Sequence, residues 1–323
     1  MRHTFTLLFG LALTAATARA QTVPTFTNPV EYNNYIVGEQ RELLKKNLRY
    51  ISKSAHSDNE KKIEARRLDV VKQNEISLAK LAKLKPYDGD NDFKDKATEA
   101  LYQQLKVYSD DYKKVDFLAA TRTRSYENME EYYRMMEAAE KKLQAVGDSV
   151  DAAQKRFARR HKMTISKDPE VDRLDKYIAD VSEVNAYQHR VYLPEFRLEK
   201  AIARVSDAMQ AQDAAAFETA RQQLVTDAEE AKKALAVVPA FRGKDARYRD
   251  ATRRMVDFHG GLAANQYVRI QTLLEKKNTL DQSEAKEFNS FAAYYNKESQ
   301  RIGQDYNQAA NTFQSTYIPV FND

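Results

Sequence analysis

The sequence predicts an all-α protein: an elongated molecule of two tandem, duplicated, antiparallel four-helix bundles that follow a cleaved signal peptide. Helix breakers are sparse, with 8 Gly and 7 Pro among 323 residues, whereas sheet proteins need frequent turn residues. The good helix formers Ala, Glu, Lys, Gln and Leu are abundant. Apolar residues recur at spacings of three and four, without period-two alternation, as in the series Phe288, Phe291, Tyr295, Ile302, Tyr306, Ala309 and Phe313.

The first twenty residues have the features of a secretory signal peptide. Arg2 and His3 precede an apolar stretch at residues 5–13, and Ala18-Arg19-Ala20 matches the small-x-small cleavage pattern. The apolar stretch is shorter than the ~20 residues that a membrane-spanning helix needs. We therefore expect export to the periplasm, the cell surface or the extracellular space. The mature chain should begin at Gln21 and carry no transmembrane segment.

Length and charge suggest the domain organisation and exclude one class of partner. A mature chain of about 300 residues exceeds the size at which one hydrophobic core usually stops growing, so we expect one bundle at residues 21–165 and another at 166–323. The chain has no Cys, so packing alone must hold both bundles. The net charge is +5, but charges of opposite sign alternate, as on solvated helices. We therefore expect no nucleic-acid partner.

Turns and breakers divide the mature chain into eight predicted helices. The first bundle should contain helices at about residues 30–54, 58–85, 91–123 and 125–161, with a weak point at Gly147. The second should contain a helix from about residue 169 that bends at Pro194, then helices at about 214–238, 244–277 and 281–319. The expected N-caps are Ser57 or Asp58, Ser125, and Asp281 or Ser283.

The two halves repeat each other along the sequence. Asn33-x-Tyr35 matches Asn185-x-Tyr187 at an offset of 152 residues, Pro86 matches Pro239 at 153, and Phe157 matches Phe313 at 156. A slowly drifting offset is what small insertions produce after a duplication. The alternative is eight unrelated helices in one irregular array. Burial of both Phe157 and Phe313 would favour the duplication.

Four segments give the chain a resemblance to a known family: Glu31-Tyr32-Asn33-Asn34-Tyr35-Ile36, Ser125-Tyr126-Glu127-Asn128-Met129-Glu130-Glu131-Tyr132, Phe157-Ala158 before Met163-Thr164-Ile165, and Val191-Tyr192-Leu193-Pro194-Glu195-Phe196. Over most of its mature length the chain resembles the uncharacterised helical surface-protein family of diderm bacteria. The resemblance implies export and a helical fold. It implies no established activity, cofactor or catalytic residue.

Spacings typical of catalytic or metal sites are missing from the sequence. No histidine of the mature chain has the Glu-x-x-His spacing of a di-metal bundle; these histidines are His56, His161, His189 and His259. Asp88-x-Asp90-x-Asp92 begins like a calcium loop, but Phe93 stands where an EF-hand needs Gly. Asp90 and Asp92 are therefore expected to cap the following helix. We predict no cofactor, no metal and no catalytic residue, and we classify the protein as a non-enzyme.

One concentrated basic patch is the only candidate binding site. It lies at the end of the first bundle and consists of Lys155, Arg156, Arg159, Arg160 and Lys162. One hypothesis is contact with an anionic envelope component, such as a phosphate-bearing lipid or polysaccharide. The alternative is that these cations complement the dipole of a helix C-terminus and need no partner.

Tyrosine is frequent, with 19 residues, and six of them cluster in the first half: Tyr102, Tyr108, Tyr112, Tyr126, Tyr132 and Tyr133. They could form an aromatic binding face for glycan or peptide. Their spacing favours the other interpretation, half-buried packing within the bundle.

We predict a non-enzymatic exported envelope or surface protein that acts as a helical interaction module. Its partner would be an unknown protein or an anionic envelope component. The main alternative is a ligand-binding protein with a pocket between the two bundles. An exported enzyme with an unfamiliar site is a third possibility, since fold does not determine function.

Overall fold

The computed structural model describes residues 24–57, 59–166, 169–276 and 279–318, so the predicted signal peptide lies outside the described residues. The described chain is helical and contains no strand, which confirms the all-α prediction. Its helices are α1 (Pro29–His56), α2 (Glu60–Leu81), α3 (Asp92–Lys106), α4 (Tyr112–Ala119), α5 (Tyr126–Arg160), α6 (Pro169–Gln210), α7 (Ala214–Ala236), α8 (Arg247–Ala264), α9 (Gln266–Lys276) and α10 (Gln282–Tyr317).

Two of the predicted helices are interrupted. The helix expected at 91–123 consists of α3, a π-helical turn at Val107–Asp111, and α4. The helix expected at 244–277 is divided into α8 and α9 at Asn265, and its glycine pair lies inside α8. The predicted weak point at Gly147 is wrong, because α5 continues through it. Helix α6 likewise continues through Pro194.

Side-chain caps define where several helices begin. Ser125 accepts a hydrogen bond from the Asn128 backbone N–H, and Asp281 forms a capping box with Glu284. Both caps were predicted. At the start of α2 the cap is Asn59, which accepts from the Lys62 N–H, instead of Ser57 or Asp58. All these caps accept N–H groups that the first turn of a helix leaves without partners.

The hydrophobic core consists of two clusters of buried side chains. One draws on the chain from Tyr32 to Phe157 and the other on the chain from Val181 to Ile318. Ile51 packs against both clusters. Helix α6 is in contact with α5 and α1, which joins the two parts of the molecule.

Each cluster contains a similar group of four aromatic rings. Phe157 lies 5.4 Å from Tyr32 and 5.6 Å from Phe93, and Phe313 lies 5.2 Å from Tyr187 and 5.8 Å from Tyr248. The fourth members are Tyr87 in the first group and Phe241 in the second. Phe157 and Phe313 are 1% and 0% exposed, so the prediction that both are buried is confirmed.

The ring groups also correct the sequence register of α1 against α6. Tyr32, and not Tyr35, contacts Phe157 as Tyr187 contacts Phe313. The spacing of the matched tyrosines is therefore 155 residues instead of 152. Three residues are close to one helical turn, so both registers place a tyrosine on nearly the same helix face.

The turns before α3 and α8 have the same backbone conformation. Asp88 and Gly89 have φ values of 50° and 74°, and Arg242 and Gly243 have 51° and 71°. Gly adopts this left-handed region at little cost. In each turn a buried aspartate, Asp90 or Asp245, then accepts a hydrogen bond from the backbone N–H two residues later.

A third feature occurs twice, at the interruptions of the third and seventh predicted helices. In the π-helical turn, the Tyr112 N–H bonds the carbonyl of Val107, five residues earlier. The guanidinium of Arg67, on α2, donates to the neighbouring Tyr108 carbonyl at 3.0 Å. Arg221, on α7, donates to the Ala263 carbonyl at 2.9 Å, beside the break between α8 and α9. An arginine therefore satisfies a carbonyl next to each interruption.

Candidate interaction surfaces

The predicted basic patch lies at the C-terminal end of α5, where three of its five cations form ion pairs within the chain. Lys155 pairs with Asp151 at 2.5 Å on the same helix. Arg156 donates two hydrogen bonds, of 2.8 and 3.0 Å, to the Asp92 carboxylate. This hydrogen bonding holds the pKa of Asp92 below its ordinary value. Asp92 is therefore the ion-pair partner of Arg156 at the start of α3.

Asp90, in the turn before α3, contacts the end of α5 as well. Its carboxylate pairs with Arg160 at 2.6 Å, and its side chain is 3% exposed. It also lies 3.3 Å from the His161 ring nitrogen, and its second oxygen accepts from the Asp92 N–H. The predicted caps need correction: the N-cap of α3 is Asn91, Asp92 is the first residue of the helix, and Asp90, one residue before the N-cap, accepts the Asp92 N–H. Asp90 also links the last turn of α5 to the turn before α3.

Arg159 and Lys162 are the two patch residues that stay exposed without an ion pair among the described residues. Lys162 has φ 52°, and the Met163 N–H bonds the Ala158 carbonyl at 3.0 Å. This is the Schellman arrangement that ends helices. The anionic-partner hypothesis for this patch therefore rests on these two cations.

Five of the six clustered tyrosines of the first half are buried or half-buried. Tyr108 and Tyr112 are buried against Tyr50, with ring centroids 5.9 and 5.5 Å from it. Burial raises the pKa of both hydroxyls well above the ordinary value. For these residues the packing interpretation is confirmed. Tyr102 is about half exposed.

A polar and aromatic seam joins α5 to α6. The Tyr133 ring stacks on His189 at 3.7 Å, and the imidazole lies 3.2 Å from a Glu137 oxygen. Further along, Ser182 donates to Glu140 at 2.9 Å. The described residues form one open cleft of about 510 Å³ beside the α6–α7 turn and another of about 200 Å³ between α7 and α8, both away from this seam.

One buried carboxyl was missed by the sequence reasoning. Glu195 is 5% exposed, and burial, with Glu199 nearby, raises its pKa to about 8. It interacts with the Tyr306 hydroxyl, which lies 3.3 Å from the hydroxyl of Tyr248. Its burial could have been predicted from its position on α6, on the same face as Val191 and Leu198. Because the group is enclosed, it has the character of a core residue and not of an open site.

The most exposed aromatic ring among the described residues lies on α4. Phe117 is 75% exposed, because Tyr112 and Val115 occupy the buried face of this short helix. Lys113 and Lys114 are exposed one turn earlier, and the following loop carries Arg122 and Arg124. We call these five residues, Lys113, Lys114, Phe117, Arg122 and Arg124, the Phe117 face. Phe117 does not follow the apolar period of its helix, and its exposure could have been predicted from this position.

The loop of the Phe117 face is held in place by its neighbours. The Asn128 side chain donates to the Thr121 carbonyl at 3.1 Å, and the Arg124 N–H bonds the same carbonyl at 3.0 Å. Arg122 lies over the Tyr132 ring, 5.0 Å from its centroid. Asp116 points away from the face, because it forms a 2.7 Å ion pair with Arg67 in the interior.

These observations define the class of the protein as an all-α helical protein with an exposed aromatic and basic face. Within the described ranges, no group of three or more His, Cys, Asp or Glu side chains is arranged to hold a metal. No described helix combines the length and apolarity needed to cross a membrane. Comparison with protein-family models, with curated proteins and with solved structures finds no significant match.

Proposed function

We propose that this chain is an exported, non-enzymatic helical interaction module of the cell envelope that contacts its partner through the Phe117 face. The observation that carries the proposal is the 75% exposure of Phe117 within a group of four cations. Contiguous exposed apolar patches rimmed by polar residues mark interaction sites, whereas single exposed apolar residues are common. Phe117 is distinguished by the cations that precede and follow it in the chain. Export is supported by the apolar stretch and the cleavage pattern in residues 1–20, and by the resemblance to a helical surface-protein family.

The proposal includes two units, residues 21–165 and 166–323, that arose by duplication. Support comes from contacts that recur at a nearly constant offset: the ring groups around Phe157 and Phe313, the left-handed turns, and the arginines that bond interrupted helices. The ends of the two units also agree. The carboxylate of Asp90 lies 3.3 Å from His161, and Asp245 accepts from the Tyr317 hydroxyl at 3.2 Å. Unrelated helices in an irregular array offer no reason for this agreement.

The second unit supplies an internal comparison for the Phe117 face. The buried residues Tyr112 and Tyr267 are 155 residues apart, and the same offset matches Phe117 with Thr272. It matches Lys114 with Arg269, which forms a 2.8 Å ion pair with Glu287. The fold therefore accepts a polar residue and a neutralised cation at these positions. The exposed ring and the unpaired lysines of the first unit are not needed for packing.

The proposal is tested by photo-cross-linking in an exporting host. A photoreactive phenylalanine analogue at position 117 should give cross-links to an envelope component, whereas the same analogue at position 272 should give none. Mass spectrometry of the exported protein should find Gln21 at the N-terminus. Retention of residues 1–20 would contradict export, and equal cross-linking at positions 117 and 272 would contradict the proposed contact face.

A further inference from the structure

We propose that the Phe117 face docks on an anionic lipid surface, with the Phe117 ring in the apolar boundary and the flanking cations at the headgroup phosphates. The proposal rests on the proposed function and names its partner. Lys113 precedes Phe117 by one turn of α4 and Lys114 precedes it by three residues, so both side chains flank the ring on one exposed face. Arg122 and Arg124 follow on the anchored loop.

The acidic residues around this face are largely engaged elsewhere. Asp116 is paired with Arg67 at 2.7 Å, and Asp111 is paired with Lys142 at 2.7 Å. Asp110 and Glu127 are exposed at the margins of the face. Lys113, Lys114 and Arg124 have no ion pair among the described residues. The face therefore presents net positive charge around an apolar centre.

An anionic lipid surface fits both properties of the face at once. Positive residues next to a helix C-terminus complement its dipole, which accounts for the cations but not for an exposed phenylalanine ring. A nucleic acid would satisfy the cations alone, and an acidic protein would need an apolar pocket beside its carboxylates to accept the ring. A bilayer interface offers phosphates and, a few ångströms deeper, an apolar boundary in which aromatic rings are buried. Basic residues close to anionic lipid add electrostatic attraction that salt weakens.

The basic patch at the other end of the first unit does not have this combination. Arg156 and Arg160 are held by Asp92 and Asp90, and Arg159 and Lys162 are its exposed, unpaired cations in the described structure. Phe157, the aromatic residue nearest to them in the chain, is buried, and the exposed apolar residue that follows them is the aliphatic Ile165, at 37%. Arg159 and Lys162 therefore provide a matched control for charge without an exposed ring.

The test uses the protein as it is after export. It is mixed with vesicles of phosphatidylcholine alone or with vesicles that also contain roughly 30 mol% phosphatidylglycerol, an anionic lipid that attracts basic residues. The chain has no Trp, so Phe117→Trp supplies a single reporter. Its emission should shift to the blue with the anionic vesicles, and brominated lipid should quench it. Thr272→Trp, at the matched position, should show neither change. Absence of a shift at position 117 would overturn the proposal.

Co-sedimentation with the same vesicles separates the contributions of ring and charge. Phe117→Ser should weaken binding at least about fivefold with the net charge unchanged, and Lys113→Gln with Lys114→Gln should weaken it about tenfold and flatten its salt dependence. The control pair Arg159→Gln and Lys162→Gln should bind like the wild type. If the control pair weakened vesicle binding as much as the two lysine substitutions do, net charge alone would explain binding, and the proposal would be overturned.

The outcome also distinguishes this inference from the proposed function. If position 117 cross-links to a protein in the host and the vesicles are not bound, the lipid inference fails and the interaction module stands. If neither cross-links nor vesicle binding are found at position 117, both fail. Circular dichroism of Phe117→Ser should match the wild type, because the ring is exposed.

Discussion

Glu195 shows how one residue can make stability depend on pH. Its carboxyl is enclosed by the second cluster near Tyr306 and Tyr248, and burial raises its pKa to about 8. A glutamate in an unfolded chain titrates near pH ~4.3. Between these two values the folded state keeps a proton that the unfolded state releases, so folding is opposed increasingly as the pH rises.

The pH dependence of unfolding should therefore change in Glu195→Gln, which imitates the protonated carboxyl. In the wild type, the stabilising contribution of protonated Glu195 is complete below the unfolded pKa and is lost as the pH rises through about 8. We expect Glu195→Gln to have little effect at pH 4.5 and to stabilise the protein by roughly 2–4 kcal/mol at pH 9. Urea unfolding at both pH values measures this difference. Glu130→Gln, at an exposed position, serves as the control, and parallel pH profiles for wild type and Glu195→Gln would refute the expectation.

Phe157 and Phe313 give a prediction about packing at the residue scale. Both rings are fully buried among aromatic neighbours. Truncation of either to Ala should cost about 3 kcal/mol, since it removes apolar contacts and leaves a cavity. Chemical denaturation measures both costs, and Phe117→Ala should change stability by less than about 0.5 kcal/mol because its ring is exposed. A cost below about 1 kcal/mol at either buried site would contradict equivalent packing.

At the scale of elements, the π-helical turn depends on a residue from another helix. Arg67 has a side chain that is 5% exposed and joins Asp116 at 2.7 Å to the Tyr108 carbonyl at 3.0 Å. Burial raises the pKa of Asp116 even though Arg67 lies beside it. Without the guanidinium, the half-buried Asp116 carboxylate and the Tyr108 carbonyl would both lose this donor.

Replacement of this arginine should therefore destabilise the first cluster more than the matched change destabilises the second. We expect Arg67→Met to cost about 2 kcal/mol, since it leaves the half-buried Asp116 carboxylate and the buried Tyr108 carbonyl without this donor. Arg221→Met should cost about 1 kcal/mol, because the pKa of Glu218, its other partner, is lowered by the Arg221 hydrogen bond, whereas burial raises the pKa of Asp116. Thermal denaturation at pH 7 compares the two variants. A larger loss for Arg221→Met would show that the Arg67 contacts are not those that hold the turn.

At the scale of the whole molecule, the α5–α6 seam couples the two hydrophobic clusters. Its contacts include the 3.7 Å stack of Tyr133 on His189 and the hydrogen bond between Ser182 and Glu140. Two clusters joined by a limited set of contacts unfold together only while those contacts are favourable.

Removal of the stack should separate the unfolding of the two clusters. In calorimetry we expect one transition for the wild type and two resolved transitions for Tyr133→Ala combined with His189→Ala. The control is Tyr294→Ala, a half-exposed tyrosine of α10, which should keep a single transition. A single, merely lowered transition in the double variant would place the coupling elsewhere, for instance in the α1–α6 contact.

The candidate site was predictable from the sequence only in part. The five-residue basic patch followed from local composition, but pairing with Asp90 and Asp92 depends on how α5 lies against the corner before α3. Phe117 could have been recognised from its position off the apolar period of α4. Within the described ranges, Lys113, Lys114 and Arg124 have no ion pair because Arg67 and Lys142 bind the nearby carboxylates of Asp116 and Asp111.

The sequence by itself determined the helical class, the positions of most turns, and caps such as Ser125 and Asp281. These depend on interactions between residues a few positions apart, which a linear pattern records. The tertiary structure decided the interruptions beside Tyr108 and Asn265, the burial of Glu195, and the exposure of Phe117 among unpaired cations. Each of these depends on which side chains meet across helices. A helix keeps a break or a buried acid where side chains from other helices supply hydrogen-bond partners, and a ring stays exposed where no other helix covers it.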